Sequence, residues 1–296
     1  MNIAIIGGGN SARRFTEALV FGGDINPTLV GFAKGKTPLL ANQYGLNFID
    51  EYYFWNECNS FDLIIIATTP GSKLDILERL ISKKYSNAII FEKPLSTCPQ
   101  RAKKIFDLVK DNNIRSTIAY SRQFLSQSLV DLSSNFKNIE WPYCKSSGDP
   151  IVHQLPHILH LIAFNAGLFL KDHSYSPFEV TKIKYNNGDY QIFIKFLDNS
   201  YEINLYNSES PKMAKIDGNA LAWPNYLQSH LTMIKFCIDQ DGFNYDFRDK
   251  VFNLSVDIAK QISDILKIIS TTLNIEHTAN AVVNNESIEY KVLGAN

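Results

Sequence analysis

A glycine-rich turn near the start of the chain restricts the possible folds more than any other feature. The apolar run Ile3–Ile6 predicts a buried strand, and it leads directly into Gly7-Gly8-Gly9-Asn10-Ser11-Ala12. Apolar side chains recur at helical spacing over residues 11–21, which predicts a helix there. A G-x-G-x-x-A pattern between a strand and a helix is typical of the first unit of a dinucleotide-binding sheet.

This turn has the chemistry needed to hold a pyrophosphate. Small residues let the backbone turn tightly and approach the phosphates, and the free amides and positive dipole end of the helix complement their charge. The alternative is a glycine turn that only reverses the chain. Because further strand and helix units follow, we predict dinucleotide binding, and the candidate residues are Gly7, Gly9, Asn10, Ser11 and Ala12.

Short apolar segments alternate with amphipathic segments through the first 120 residues. The predicted strands are residues 3–6, 28–32, 63–67, 88–91 and 117–120, and the predicted helices are residues 11–21, 73–83 and 99–110. Parallel strands need crossover connections that are usually helical. The first part of the chain is therefore predicted to be α/β, a doubly wound parallel sheet of the Rossmann type.

The pattern changes after about residue 122. Residues 190–196 and 201–205 alternate in polarity and predict antiparallel strands joined by a turn at Asp198-Asn199. Apolar spacing over residues 249–269 predicts a long helix. We therefore predict two domains, an NAD(P)-binding Rossmann domain at residues 1–122 and an α+β domain with a mostly antiparallel sheet at residues 123–296.

Composition excludes several classes of function. The chain has 29 Lys and Arg against 30 Asp and Glu, so no global basic field attracts nucleic acid or an anionic membrane. Its 4 cysteines form no CxxC pair, which argues against a zinc knuckle and a disulfide framework. No apolar run approaches the ~20 residues of a membrane helix, and the first run lacks the basic flank of a signal peptide. We expect a cytoplasmic protein without a nucleic-acid or membrane partner.

The end of the second predicted strand bears on the choice of cofactor. An acid about 20 residues beyond the glycines usually binds the ribose 2′-hydroxyl, but the stretch Gly31–Lys36 contains none. Lys34, Lys36 and Arg13 are cations that can neutralise a 2′-phosphate, or else they are solvated surface charges. The sequence favours NADP, with NAD as the open alternative.

The segment Phe91-Glu92-Lys93-Pro94-Leu95 resembles the Gfo/Idh/MocA family of sugar and inositol oxidoreductases. The likeness covers residues 1 to about 167, and the other matching segments are Gly7–Gly9, Ala67–Pro70 and Tyr120–Phe124. The resemblance implies hydride transfer between a nicotinamide cofactor and a hydroxyl or ketone of a sugar or nucleotide sugar. It also implies that the second domain binds substrate, and that further cofactor-binding residues are Thr68, Thr69, Pro70, Glu92 and Lys93.

Lys93 is the main catalytic candidate. A lysine at the carboxyl end of a strand points into the crevice where doubly wound sheets bind ligands, and its ammonium can stabilise the oxyanion that develops as hydride moves. The resemblance implies that Lys93 lies beside nicotinamide and substrate; the alternative is an exposed loop lysine. Tyr120 and Arg122 are candidate substrate-binding residues, although Arg122 can instead join the two domains by hydrogen-bonding loop carbonyls.

Three histidines follow where the family carries an aspartate and, four residues later, a histidine. In an ungapped alignment, His157 falls on the family histidine and His153 on the aspartate, with His160 on a second aspartate. Imidazole titrates near neutral pH, so we predict that His157, with His153, acts in catalysis and substrate binding. A continuous helix would place the three rings on one face and permit zinc, but Pro156 leaves that continuity open. We predict no metal, because no acidic or cysteine ligand is evident nearby.

Two other functions stay open at this point. Some relatives in the family use NAD in the cleavage of a glycosidic bond. The chain is alternatively a dinucleotide-binding sensor or scaffold that has lost its chemistry, and the replacement of the family aspartate by His153 is the main support for this reading. The resemblance also implies a homodimer or higher homo-oligomer.

Overall fold

The computed structural model describes residues 1–120, 137–143, 149–166, 177–186, 189–208, 214–220, 226–273 and 288–291. The described residues belong to two compact units. The first draws on Met1–Ser126 and Pro224–Val256, and the second on Gln127–Trp223 and Asp257–Asn296. The predicted domain boundary at residue 122 falls outside the described residues and stays a prediction.

A parallel sheet forms the centre of the first unit. Its strands are β1 (Ile3–Ile6), β2 (Thr28–Gly31), β3 (Phe48–Asp50), β4 (Leu63–Ile66), β5 (Ala88–Phe91) and β6 (Ser116–Ile118). Their order is β3-β2-β1-β4-β5-β6, and the pairings are parallel. This is the strand order of a Rossmann sheet, so the predicted doubly wound fold is confirmed. The unbroken apolar runs of β1, β4 and β5 are buried, as strands covered on both faces must be.

The described helices are, in chain order, α1 (Asn10–Glu17), α2 (Lys36–Tyr44), α3 (Glu51–Glu57), α4 (Lys73–Ser82), α5 (Pro99–Asp111), α6 (Pro150–His153), α7 (Leu155–Asn165), α8 (Tyr226–Ile238) and α9 (Tyr245–Leu273). A π-helical turn, Ala18–Gly22, extends α1 to the length that the sequence predicts. The long predicted helix corresponds to α9, which is longer at both ends than expected.

The second unit contains a second sheet. Its strands are β7 (Asn138–Tyr143), β8 (Glu179–Asn186), β9 (Asp189–Phe196), β10 (Asn199–Asn207), β11 (Lys215–Ile216), β12 (Asn219–Ala220) and β13 (Ile288–Lys291). The described pairings are antiparallel apart from that of β7 with β10. The predicted mostly antiparallel sheet is confirmed. The turn between β9 and β10 is at Leu197-Asp198, one residue earlier than predicted.

Helix α8 packs in the first unit, although it follows the second sheet in the chain. Its side chains Leu231, Met233 and Ile234 are buried in the same cluster as Phe15 and Leu19 of α1 and the adjoining turn. The core of the Rossmann unit therefore depends on a segment from late in the sequence, which was predicted as part of the second domain.

Candidate active site

The glycine turn after β1 leaves no room for a side chain at its first two positions. Gly7 has a φ of 128°, a region that favours glycine, and a Cβ there would lie 2.6 Å from the Ala67 carbonyl oxygen after β4. A Cβ on Gly8 would lie 2.5 Å from the backbone nitrogen of Thr37 in α2. The turn is thus packed against the end of β4 on one side and the start of α2 on the other.

Gly9 is the N-cap of α1 and has a different environment. Within the described ranges, no atom lies within 4 Å of the place where its Cβ would be. Among the described side chains none caps the first turn of α1, and that turn contains no acidic residue. The first amides of α1 are therefore left for an outside acceptor. These observations fit a pyrophosphate, which needs close approach to the backbone and N–H donors at the positive end of a helix.

A cavity of about 430 Å³ adjoins the glycine turn where β1 and β2 end. Its lining combines aromatic and apolar side chains with charged ones, among them Phe32, Trp55, Lys36, Glu51, Asp75 and Arg79. A concave, largely apolar space with a few polar groups is what an aromatic base and its sugar require. The cavity and the turn together fit the adenosine and pyrophosphate parts of a dinucleotide.

The predicted cations lie in different places around this cavity. Lys36 lines it. Lys34 is exposed in the turn that precedes α2, and Arg13 forms an ion pair with Glu17 at 3.5 Å on α1. The structure therefore brings Lys36 to the cavity and gives Arg13 an acidic partner on its own helix.

Sequence reasoning missed Glu51, Trp55 and Arg79, which line the same cavity from α3 and α4. The Arg79 guanidinium lies 4.2 Å from the centre of the Trp55 ring and 4.0 Å from the Glu51 carboxylate. One signal was present in the sequence: Asp50 caps α3 by accepting from the Tyr52 amide at 3.0 Å, and an Asp before a helical run marks a helix start. Because acids and cations line the cavity together, its charges do not select between a 2′-hydroxyl and a 2′-phosphate.

The loop after β4 reaches the same cavity. Thr68 lines it, and the Ser72 hydroxyl is 2.9 Å from the Thr68 hydroxyl. The Thr69 carbonyl accepts from the Ser72 amide at 3.3 Å, which closes a tight turn over Pro70. The structure thus brings Thr68 to the predicted cofactor cleft and places Thr69 and Pro70 beside it in the loop.

Lys93 follows the end of β5 at the carboxyl edge of the sheet. The Glu92 amide donates to Ile66 of β4 at 3.0 Å, and the Phe91 carbonyl accepts from Ala119 at 2.7 Å. Lys93 itself is half-buried, and its peptide bond to Pro94 is cis. Lys93 therefore lies at the carboxyl end of a strand, β5, where the sequence predicts it.

A second lysine, Lys73, lies under this segment and was not singled out in the sequence. It is the first residue of α4, its side chain has 0% exposure, and its Nζ donates to the carbonyl oxygens of Glu92 and Pro94. The pKa of Lys73 is lowered to about 7, mainly by burial; the nearby Glu92 opposes this shift and Lys93 adds to it.

Glu92 connects Lys93 to the glycine turn. The Ser11 hydroxyl of α1 donates to its carboxylate. Burial raises the pKa of the Glu92 carboxyl, while the cations Lys93, Lys73 and Arg14 favour its charged form. The predicted cofactor-binding residues Ser11 and Glu92 are thus brought together.

Tyr120 is 1% exposed, and its hydroxyl is hydrogen-bonded to that of Ser255 in α9 at 3.2 Å. Burial raises the pKa of this phenol. The hydroxyl thus has a partner inside the first unit, and a contact between Tyr120 and substrate stays a prediction. Arg122, the other substrate-binding residue predicted near the end of β6, lies outside the described residues.

The predicted catalytic histidines lie in the second unit, on two successive helices. Asp149 caps α6 by accepting from the Ile151 amide at 2.8 Å, and His153 is the last residue of α6. The helix is interrupted at Gln154, whose side chain accepts from the Trp141 indole at 3.1 Å. His157 lies in the first turn of the following helix, α7. His153 and His157 are both half-buried. The single continuous helix that a zinc site would use is therefore absent from this described segment.

His160 is different, since it is 2% exposed and its ring packs against that of Phe164 at 6.4 Å between centres. This burial suits the structural role that such a histidine most often has. Across the described residues, no group of three or more His, Cys, Asp or Glu side chains is arranged to hold a metal ion. None of the described helices has both the length and the apolar character to cross a membrane.

Comparison with known proteins gives one family and a consistent set of folds. Residues 1–120 match the model of a family described as an oxidoreductase family with an NAD-binding Rossmann fold. No curated protein matches the sequence. Among solved structures, a putative myo-inositol dehydrogenase from Sinorhizobium meliloti has a TM-score of 0.67 at 12% identity, covering 92% of this chain and 98% of its own.

Two further structures are similar to the same extent. UDP-N-acetylglucosamine 3-dehydrogenase from Acidithiobacillus ferrooxidans has a TM-score of 0.66 at 12% identity, covering 89% of this chain and 97% of its own. An oxidoreductase from Agrobacterium radiobacter, crystallised with NAD+, L-tartaric acid and magnesium, has a TM-score of 0.64 at 14% identity, covering 89% of this chain and 96% of its own. At these identities the likeness is one of fold.

Proposed function

Because residues 1–120 match the model of an oxidoreductase family with an NAD-binding Rossmann fold, we propose that the chain is a Gfo/Idh/MocA oxidoreductase. It would transfer hydride between NADP(H) and a hydroxyl or ketone of a sugar or nucleotide sugar. The observation that carries the proposal is the joint presence, at one edge of one sheet, of the glycine turn, the cavity of about 430 Å³ and the Glu92-Lys93-Pro94 segment. The two similar dehydrogenases named for myo-inositol and UDP-N-acetylglucosamine support a polyhydroxylated substrate.

The chain's own groups account for the binding of the dinucleotide. Amides at the start of α1 and the backbone at Gly7–Gly9 would hold the pyrophosphate. The cavity lined by Phe32, Trp55 and Arg79 would hold the adenosine part. A bound nicotinamide dinucleotide supplies the hydride acceptor or donor for the reaction. Thr68, at the cavity wall, would contact the bound cofactor.

Lys93 would act on the reacting oxygen of the substrate. Its half-buried position at the end of β5 follows from the strand hydrogen bonds that precede it. An ammonium there donates a hydrogen bond to the hydroxyl or ketone oxygen and stabilises negative charge on that atom as the carbon changes oxidation state. Glu92, whose side chain accepts from the Ser11 hydroxyl, lies near this ammonium, and Lys93 favours the charged form of its carboxyl.

His157 would exchange the proton of the substrate hydroxyl. A half-buried imidazole at the start of α7 keeps access to solvent, and histidine is the side chain that most often serves as a general acid and base. His153, at the end of α6, would share substrate binding and proton exchange. We further propose a cytoplasmic homo-oligomer with no nucleic-acid partner.

NADP is proposed over NAD from the sequence of residues 31–36, which contains Lys34 and Lys36 and no acid. The cavity itself adds no preference, because Glu51 and Asp75 line it beside Lys36. The measurement is the dissociation constant of each reduced cofactor, from the increase in its fluorescence on binding. Lys36→Glu is expected to weaken NADPH binding at least tenfold and NADH binding less than threefold. A clear preference of the unaltered protein for NADH would contradict the choice of NADP while leaving the reaction class in place.

The proposed reaction is tested by cofactor reduction across a panel of sugars, polyols and nucleotide sugars, with Lys93→Met beside the unaltered protein. Lys93→Met is expected to lower kcat at least 1000-fold and to change the NADPH dissociation constant less than threefold, because the lysine acts on the substrate oxygen. Near-native kcat in this variant would refute the role of Lys93. Release of an aglycone without net change in cofactor absorbance would instead favour glycosidic bond cleavage, and tight binding without any turnover would favour a sensor.

A further inference from the structure

Lys73 is a buried cation that the proposed reaction does not use. It begins α4, where a lysine ordinarily extends its ammonium into water, yet its side chain has 0% exposure. Burying an amine is unfavourable unless hydrogen bonds compensate for the lost water. Here the compensation comes from two backbone carbonyls, those of Glu92 and Pro94.

The two acceptors lie immediately before and immediately after Lys93. The β-sheet holds this part of the chain up to Glu92, whose amide donates to Ile66 at 3.0 Å. Beyond that point the chain leaves β5, and Nζ of Lys73 supplies donors on both sides of the next residue. One side chain thus fixes the positions of the carbonyl groups that flank Lys93.

We propose that Lys73 is a positioning residue, which orients the Lys93 ammonium by holding the carbonyl groups of residues 92 and 94. This inference rests on the proposed role of Lys93 in hydride transfer. Lys73 does not contact the reacting atoms in this scheme; it acts through the backbone of the Glu92-Lys93-Pro94 segment.

The two hydrogen bonds survive a change in the protonation of Lys73. An ammonium has three N–H donors and a neutral amine has two, and two acceptors have to be satisfied. The charged groups that act on it are Glu92, which favours the cation, and Lys93, which disfavours it. With the pKa of Lys73 lowered by burial to about 7, the amine holds both carbonyls in either state.

The test compares three variants in the full chain. Lys73→Met keeps the length of the side chain and removes the donors, Lys73→Gln keeps two N–H donors on a shorter chain, and Lys83→Met changes an exposed lysine at the other end of α4. We expect Lys73→Met to lower kcat at least 30-fold with less than threefold change in the cofactor KM. Lys73→Gln should have a kcat at least fivefold above that of Lys73→Met and at least threefold below that of the unaltered protein, because its shorter side chain holds the two carbonyls less well. Lys83→Met should equal the unaltered protein.

A folded Lys73→Met protein, by circular dichroism, that keeps kcat within threefold of the unaltered protein would overturn the proposal. So would equal kcat losses in Lys73→Met and Lys73→Gln, since a role limited to filling space does not distinguish a donor from a methyl group. If Lys73→Met does not fold, Lys73→Gln is expected to show a kcat loss of at least threefold at unchanged cofactor KM, and no loss would count against the proposal.

A readout without turnover separates this inference from the proposed function. The rate of reductive methylation at Lys93, measured by mass spectrometry, is expected to change at least threefold in the Lys73 variants, while the rate at the exposed Lys104 stays the same. If the unaltered protein neither binds a nicotinamide cofactor nor turns over, the proposed function fails, and this rate still tests Lys73. An unchanged rate at Lys93 would overturn the positioning role.

Discussion

The burial of Lys73 predicts an unusual dependence of stability on pH. In the folded protein the pKa of Lys73 is about 7, against 10.5 for an ordinary lysine. Between these two values the unfolded chain binds a proton that the folded chain does not. Stability therefore rises with pH through this window, and the contribution is lost as the pH falls to about 7.

The size of the effect follows from the width of the window. One pKa unit corresponds to about 1.4 kcal/mol of differential interaction. From pH 7 to pH 9 the free energy of unfolding should therefore rise by roughly 3 kcal/mol relative to a variant that cannot titrate at this position. Lys73→Met is that variant. It also leaves the carbonyls of Glu92 and Pro94 without this donor, at about 1–3 kcal/mol for each buried acceptor, but that cost does not change with pH.

The measurement is the free energy of unfolding from urea titrations at pH 6, 7, 8 and 9, followed by far-ultraviolet circular dichroism. The difference between the unaltered protein and Lys73→Met is expected to be nearly constant from pH 6 to pH 7 and to widen in favour of the unaltered protein above pH 7. Lys83→Met, which removes an exposed lysine of the same helix region, controls for the general loss of one charge. Parallel curves for the unaltered protein and Lys73→Met would refute a lowered pKa at Lys73.

Three further predictions concern other parts of the site. Gly8→Ala should weaken NADPH binding at least tenfold by fluorescence titration, because its Cβ would lie 2.5 Å from the Thr37 nitrogen; normal binding would show that α2 yields. Ser255→Ala should lower the melting temperature by about 2–4 °C, from the loss of one buried hydrogen bond of about 1 kcal/mol to Tyr120, with unchanged NADPH affinity. His157→Asn should lower kcat about 100-fold at constant cofactor affinity, and an unaltered pH profile of kcat would exclude it as the acid or base.

Much of the first sheet is predictable from sequence because its signals are local. The apolar runs of β1, β4 and β5 and the glycine turn are read directly from adjacent residues. By contrast, β3 is three residues long and half-buried, which gives little periodicity to detect. Helix α3 carries the aromatic residues Tyr52 and Tyr53 on its exposed face, so its sequence does not show the alternation of apolar and polar faces that marks an amphipathic helix.

The environment of Lys73 shows what local reasoning cannot reach. A lysine in the first turn of a helix is expected at the surface, and α4 is predicted correctly as a helix. The burial arises because carbonyls about 20 residues later in the chain lie over the start of that helix. The break at Gln154 is an intermediate case, since Pro156 signals it, but the Trp141 indole that donates to the Gln154 side chain lies 13 residues earlier in the chain.

The return of α8 to the first unit decides which fragments of this chain can be expressed. Leu231, Met233 and Ile234 are all buried there, and side chains of this size stabilise a core by about 1.5–3 kcal/mol each. Their sum is comparable with the whole stability of an ordinary domain. Truncation after β6 would thus expose the apolar surface that α8 covers and give an aggregating polypeptide. A gene that joins residues 226–256 to residue 120 would keep this surface covered.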